Sequence, residues 1–150
     1  MNQLKQKLQS DLNDAIKSRN AVVAETVRML LAAITNEEVA GKEKKELSDA
    51  EVITVLTREA KKRREAAEAF EQGGRADKAA AERAEGEVIA TYLPEQLSEA
   101  ELNQLITETI AAVGASGPGD MGKVMGALKA KVAGKADGAT VSNLVKAALA

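Results

Sequence analysis

Apolar residues in the first 93 positions recur at intervals of three and four, the spacing of helices that are buried along one side. They predict a first helix over roughly residues 2–17 and a second that ends at about Asn36. The apolar positions of these two helices are Leu4, Leu8, Leu12, Ile16, Val23, Val27, Leu30, Leu31 and Ile34.

Two further helices are predicted from their start and stop signals. Ser48-Asp49-Ala50-Glu51 matches a capping box, in which serine and glutamate side chains satisfy the free amides of a helix start. The third helix is expected to end at Gly73-Gly74, where glycine permits the left-handed backbone of a helix stop. A fourth is predicted over about residues 77–92, because Pro94 cannot continue it. Residues 1–93 are therefore predicted to form two helical hairpins.

The remaining residues, 98–150, show three shorter apolar stripes, and the first begins with a second capping box, Ser98-Glu99-Ala100-Glu101. Asp120 is predicted to cap the next helix, and Gly134–Gly138 predicts a tight turn before the last one. The three stripes consist of Leu102, Leu105, Ile106, Ile110, Val113, Met121, Val124, Met125, Leu128, Val132, Val141, Leu144, Val145 and Ala148. The fold class is thus predicted to be all-α, with about four helices followed by a three-helix unit.

The composition supports this prediction and indicates which residue types form the core. The chain holds 29 Ala but only 33 residues of Leu, Ile, Val and Phe, with one Phe, one Tyr and no Trp. Alanine is the strongest helix former and is depleted in strands. The net charge of −2 is too small for the high-charge composition of disordered chains, so a folded helical protein with an aliphatic core is expected.

Missing residue types exclude whole classes of function. Without Cys there is no disulfide, thiolate zinc site or thiol nucleophile, and without His there is no Ser-His-Asp triad. We therefore expect no metal, no cofactor and no catalytic residue. The longest wholly apolar run, Met29–Ile34, is far too short to span a membrane, and the first residues resemble no targeting signal. A cytoplasmic protein without membrane contact is expected.

A glycine motif between Gly117 and Gly122 has the spacing of a nucleotide-binding fingerprint but lacks its structural context. Gly117, Gly119 and Gly122 match the spacing G-x-G-x-x-G. In dinucleotide-binding proteins that fingerprint follows a strand of a parallel sheet. No segment here has a strand pattern, and Pro118 lies inside the motif, so we interpret the match as chance.

Four consecutive basic residues, Lys61–Arg64, lie within the predicted third helix, which directs them around its axis rather than into one patch. Arg63 falls on the apolar stripe of that helix. Because a guanidinium withdrawn from water needs a carboxylate partner, we predict a structural ion pair of Arg63 with Glu82 or Glu85. The other three could contact phosphate, but the glutamates on the same helix favour a salt-bridged surface.

The C-terminal part of the chain concentrates positive charge. Between Ala115 and Ala150 there are five lysines but two acids, Asp120 and Asp137, whereas the chain as a whole is acidic. These lysines are candidates for contact with a nucleic-acid backbone. They are Lys123, Lys129, Lys131, Lys135 and Lys146.

Small residues beside these lysines predict a surface that another backbone can approach closely. Gly122 and Gly126, with Ala130 and Ala133, cluster on one flank of the sixth helix, and Gly134 opens the following turn. A neighbouring helix packed on this flank is one interpretation, and a nucleic-acid backbone is the other. The unit has no aromatic residue on which a base could stack, so any RNA would be recognised by its folded shape and its phosphates.

Three segments carry a resemblance to a known family: Tyr92-Leu93-Pro94-Glu95-Gln96-Leu97, Asp120-Met121-Gly122-Lys123-Val124-Met125-Gly126 and Gly134-Lys135-Ala136-Asp137-Gly138. Together, and over nearly the whole chain, they resemble the YqeY-like family of small bacterial proteins. The second unit is also similar to the tail of the B subunit (GatB) of the tRNA-dependent amidotransferase. The resemblance implies a role near tRNA, because that tail helps to hold tRNA. The ATP site and the glutaminase serines of the amidotransferase lie in parts that this chain lacks.

Three functional hypotheses follow. The first is a non-catalytic module whose C-terminal unit contacts tRNA while its acidic N-terminal unit docks a protein partner. The second is a protein–protein adaptor that binds no RNA. The third, implied by family similarity alone, is a carbon–nitrogen ligase activity with glutamine as amido-nitrogen donor.

Overall fold

The computed structural model describes residues 2–150, and over that range it contains α-helices, one 3₁₀ turn and no β-strand. The all-α prediction is therefore confirmed. In chain order the helices are α1 (Gln3–Lys17), α2 (Ala21–Glu38), α3 (Asp49–Gln72), α4 (Ala76–Ala90), α5 (Glu99–Val113), α6 (Met121–Val132) and α7 (Gly138–Leu149). The 3₁₀ turn, Pro118–Asp120, leads directly into α6.

The contacts divide the chain into two compact units that meet in sequence at Leu93 and Pro94. Helices α1–α4 build the first unit. Its core is aliphatic, and seven of its side chains have no exposed surface: Leu8, Val27, Leu30, Ile34, Val52, Leu56 and Ile89. Helices α5–α7 build the second unit around a separate core of Leu102, Ile106, Val124, Leu128, Val132, Val141, Val145 and Leu149.

Both predicted capping boxes are confirmed by their hydrogen bonds. The Glu51 amide donates to Ser48 Oγ at 3.2 Å, and the Ser48 amide donates to the Glu51 carboxylate at 3.3 Å. The same reciprocal pair joins Ser98 and Glu101 at 3.1 and 3.3 Å. Each box fixes the first residue of its helix, because the orphan amides of the first turn find local acceptors.

Asp120 does not cap α6 as the sequence predicted. It occupies the residue before α6, but its carboxylate turns back and accepts a hydrogen bond from the Ser116 amide at 2.9 Å. The 3₁₀ turn explains the difference, because it already winds the chain one turn ahead of Met121. Asp120 therefore closes the loop before the helix.

Candidate nucleic-acid interface

The helix α6 presents opposite sides to the core and to solvent. Its inner side carries Val124, Leu128 and Val132, which are buried. The small residues lie on the far side and are exposed; we call them the outer strip, which consists of Gly122, Gly126, Ala130 and Ala133. A methyl group at Gly122 or Gly126 would meet no atom within 4 Å outside α6's own backbone. Within the second unit, no neighbouring helix packs on Gly122 or Gly126.

Two of the candidate lysines border the outer strip. On a helix of about 3.6 residues per turn, Lys123 lies along one edge of the strip and Lys129 along the other. Lys131 follows Lys129 by two positions and therefore points to nearly the opposite side of α6. Lys123 and Lys129 therefore flank the outer strip, whereas Lys131 does not border it.

Lys135 lies in the turn between α6 and α7, which the segment after Pro94 holds in place. Gly134 adopts the left-handed backbone (φ 72°) that glycine tolerates and most residues do not. The side-chain amide of Gln96 donates to the Gly134 carbonyl at 2.7 Å, and the Leu97 amide donates to the Lys135 carbonyl at 2.9 Å. These bonds fix the backbone that carries Lys135 while its side chain stays exposed.

Asp120 and Asp137, the two acids among residues 115–150, both accept hydrogen bonds from backbone amides. Asp137 is buried and caps α7, accepting a hydrogen bond from the Thr140 amide at 3.0 Å. The hydrogen bond from the Ser116 amide holds the pKa of Asp120 below its ordinary value, so that carboxylate stays charged. Both acids are committed to backbone amides, although the charge of Asp120 still acts on nearby Lys123.

Basic side chains behave differently in the two units. Within residues 2–150 all five candidate lysines are exposed, and none forms an ion pair. The first unit pairs many of its basic residues: Lys5–Glu38, Lys7–Asp11, Lys45–Glu51, Arg58–Glu37, Lys61–Glu65, Lys62–Glu59, Arg75–Asp77 and Arg83–Glu71. In the described residues, the charges of the five C-terminal lysines are therefore not used in direct ion pairs of the fold.

Comparison with models of known protein families shows to which family the chain belongs. The family model described as "Yqey-like protein" matches residues 5–149, nearly the whole length. The chain belongs to the YqeY-like family. The family resemblance found in the three segments is thereby confirmed.

Among known proteins, the YqeY-like chain is similar to the uncharacterized protein C22F3.15 of Schizosaccharomyces pombe. The two are 35% identical over 92 residues, which make up 61% of this chain and 72% of the yeast protein. The yeast protein's name states no activity, so the comparison supports the family without adding a substrate or partner.

Arg63 of the YqeY-like chain lies between α3 and α4 with both expected partners. Its Nη1 atom is 3.3 Å from a carboxylate oxygen of Glu82 and 3.3 Å from one of Glu85. All three side chains are mostly buried, at 19–29% exposure. Gly86 lies next to Arg63, and a methyl group there would be in ordinary van der Waals contact with the Arg63 Cβ atom at 3.8 Å. The cluster therefore joins α3 to α4.

Three further sequence predictions concern a dinucleotide fingerprint, a metal site and a membrane-spanning helix. The G-x-G-x-x-G stretch follows helix α5 and a loop, so the strand that a dinucleotide fingerprint requires is absent from residues 2–150. Across the same range, no three metal-binding side chains converge in a possible metal site. No helix in this described part is long and apolar enough to cross a membrane.

One polar cluster of the first unit was not predicted from the sequence. The Tyr92 hydroxyl donates to the Asp11 carboxylate, which also pairs with Lys7 at 2.9 Å, and the Lys7 ammonium lies 5.3 Å from the centre of the Tyr92 ring. Asp11 and Tyr92 are 81 residues apart. No local spacing reveals such a pair; its only signal is that the single tyrosine of the chain lies in a segment shared with the family.

Proposed function

We propose that the second unit is a non-catalytic module that binds the sugar–phosphate backbone of folded RNA. The observation that carries this proposal is that five exposed lysines have no ion pair in residues 2–150, while Asp120 and Asp137, the two acids among residues 115–150, accept hydrogen bonds from backbone amides. Uncompensated lysines attract phosphate and release its counterions. The similarity to the amidotransferase tail favours tRNA as the RNA class.

The composition of the unit favours folded RNA over single strands. Residues 94–150 contain no Phe, Tyr or Trp, so bases have no aromatic surface on which to stack. Lysines that contact phosphate fix position without reading sequence. We therefore expect a tRNA transcript to bind more tightly than an unstructured single strand of equal length, with little preference for sequence.

A charge-neutralising variant tests the proposal. The variant removes five positive charges through Lys123→Gln, Lys129→Gln, Lys131→Gln, Lys135→Gln and Lys146→Gln. Its matched control removes five exposed charges from the first unit through Lys17→Gln, Arg19→Gln, Arg28→Gln, Lys42→Gln and Arg64→Gln. Fluorescence anisotropy with a labelled tRNA transcript is expected to show at least tenfold weaker binding for the variant and less than threefold for the control. Equal losses in both would refute the proposal.

The outer strip gives the adaptor hypothesis its own test. Because Gly126 is exposed and no side chain of the second unit covers it, a protein helix could approach there as closely as an RNA backbone. Gly126→Leu is therefore expected to weaken tRNA binding if RNA lies on the strip. Retained tRNA binding, together with loss of a stable protein complex, would favour the adaptor.

Catalysis is tested separately with the pure protein. Incubation with Glu-tRNA, ATP and glutamine is expected to give no amide product, because the resemblance covers only the tail of the amidotransferase subunit. Formation of Gln-tRNA by the isolated chain would overturn the non-catalytic assignment and establish the carbon–nitrogen ligase.

A further inference from the structure

An open groove of about 390 Å³ lies in the first unit, between the C-terminal half of α1, the start of α2 and the end of α4. Its floor is apolar, formed by Ala15, Val23 and Val88. The volume falls in the range of small-molecule sites, which combine an apolar floor with a few directed polar groups. All of its lining residues belong to the first unit, and the proposed RNA contact uses none of them.

The polar rim of the groove offers mainly hydrogen-bond acceptors. The Ser18 hydroxyl donates to the Ala15 carbonyl and the Thr91 hydroxyl donates to the Val88 carbonyl, at 3.4 and 2.7 Å. Their protons are therefore used within the chain, and their oxygen lone pairs remain for a ligand. The Asn20 side-chain oxygen is occupied by the Val23 amide at 3.3 Å, which leaves its NH₂ group for a ligand.

The two carboxylates of the rim decide the sign of charge that the groove prefers. Asp11 is paired with the Lys7 ammonium and accepts a hydrogen bond from the Tyr92 hydroxyl. Asp14 is exposed and forms no ion pair in the described residues. None of the nine side chains that line the groove is basic. One uncompensated carboxylate and the free lone pairs therefore face a ligand that must bring donors and positive charge.

We propose that this groove binds a guanidinium group carried on a short aliphatic chain. A guanidinium supplies five N–H donors and no acceptor, which matches the acceptors of the rim, and its planar shape suits a carboxylate. The aliphatic chain would cover Ala15, Val23 and Val88. The same group can come from a free small guanidine or from an arginine side chain of a protein.

The probe is n-butylguanidinium, and n-butylurea is its neutral analogue of the same shape. In ¹⁵N–¹H correlation spectra of the full chain, butylguanidinium is expected to shift the amides around Ala15, Asn20, Val23 and Thr91 in a saturable manner. Asp14→Asn is expected to weaken this binding about five- to tenfold, the loss of one charge-assisted hydrogen bond at an exposed site. Glu108→Gln, an exposed carboxylate of the second unit, should leave the binding unchanged.

Two comparisons can overturn the proposal. Equal binding of butylurea would show that charge plays no part, and unchanged binding by Asp14→Asn would remove the carboxylate from the site. A well-dispersed spectrum of Asp14→Asn shows that the variant is folded. The capped peptide Ac-Ala-Arg-Ala-NH₂ separates the sources: binding with the same shifts points to a protein side chain, and exclusion of the peptide points to a free guanidine. Neither result depends on RNA binding.

Discussion

The Lys5 ammonium lies 2.8 Å from a carboxylate oxygen of Glu38, whose side chain is 3% exposed. The pair joins the first turns of α1 to the last turn of α2. The Glu38 carboxylate also accepts a hydrogen bond from the backbone of Leu47, and the Glu38 carbonyl accepts one from the Lys45 amide at 2.8 Å. One acid therefore holds both α1 and the segment between α2 and α3.

Glu38→Gln is expected to lower the free energy of unfolding at pH 7 by about 1–2 kcal/mol, because the mostly buried Lys5 loses its charged partner. The hydrogen bond from Lys5 lowers the pKa of Glu38, so the unfolded chain binds its proton more readily than the folded one. The stabilisation is therefore complete above the ordinary glutamate pKa and declines as the pH falls below it.

Urea denaturation between pH 3 and 7 measures this effect. The difference between wild type and Glu38→Gln should be largest near neutral pH and shrink in acid. Glu43→Gln, at an exposed position of the neighbouring loop, serves as the control and should match the wild type. A difference that stays constant with pH would contradict the role given to the Glu38 charge.

Tyr92 offers a direct optical reading of its surroundings, since it is the only tyrosine of the chain. Partial burial and the hydrogen bond to Asp11 raise the pKa of its hydroxyl far above the ordinary value of 10.0. The folded protein is expected to show almost no tyrosinate absorbance near pH 10, where the urea-unfolded chain is half ionised. Asp11→Asn should move the folded titration back towards the ordinary value, and a wild-type midpoint near 10 would exclude the hydrogen bond.

Arg19 is the single non-glycine residue of the described chain with a positive φ, at 58°. It follows α1 in the position where glycine usually ends a helix, and a side chain there crowds the backbone. Arg19→Gly is expected to stabilise the first unit by about 0.5–1 kcal/mol, whereas Arg19→Ala should change little. Urea denaturation compares the two, and equal stabilities would mean that Arg19 carries no backbone strain.

Two glycines of the second unit are expected to respond in opposite directions to alanine. Gly134 has a left-handed backbone, so Gly134→Ala should cost about 1–2 kcal/mol. Gly126 lies in open space within α6, so Gly126→Ala should stabilise that helix by about 0.5–1 kcal/mol. Thermal unfolding followed by circular dichroism measures both. Destabilisation by Gly126→Ala would show that the outer strip is covered in solution.

Most of the fold could be predicted from local signals in the sequence. The capping boxes at Ser48 and Ser98 and the glycine stops could be located from the sequence because each acts within one turn of a helix. Asp120 was predicted wrongly because the same residue type can cap forwards or close a loop backwards, and the 3₁₀ turn at Pro118–Asp120 decides between them. Local sequence does not distinguish these two hydrogen bonds.

Most contacts between residues far apart in sequence could not be predicted in this way. Arg63 could be paired with its acids because a guanidinium on a buried stripe requires them, and α4 offers few candidates. The Asp11–Tyr92 bond and the anchoring of Lys135 by Leu97 join positions far apart in sequence, and nothing in either segment specifies the other. The lysines could be counted from the sequence, but their lack of ion pairs became visible only in three dimensions.

The salt dependence of RNA binding tests the central proposal most directly. With three to five phosphates neutralised, a plot of log Kd for a tRNA transcript against log salt concentration should have a slope of about 3–4.5 for the wild type. For the variant with glutamine at Lys123, Lys129, Lys131, Lys135 and Lys146, this slope should fall below about 1. The first-unit control should keep the wild-type slope. Equal slopes for all three proteins would show that the C-terminal lysines do not contact RNA phosphates.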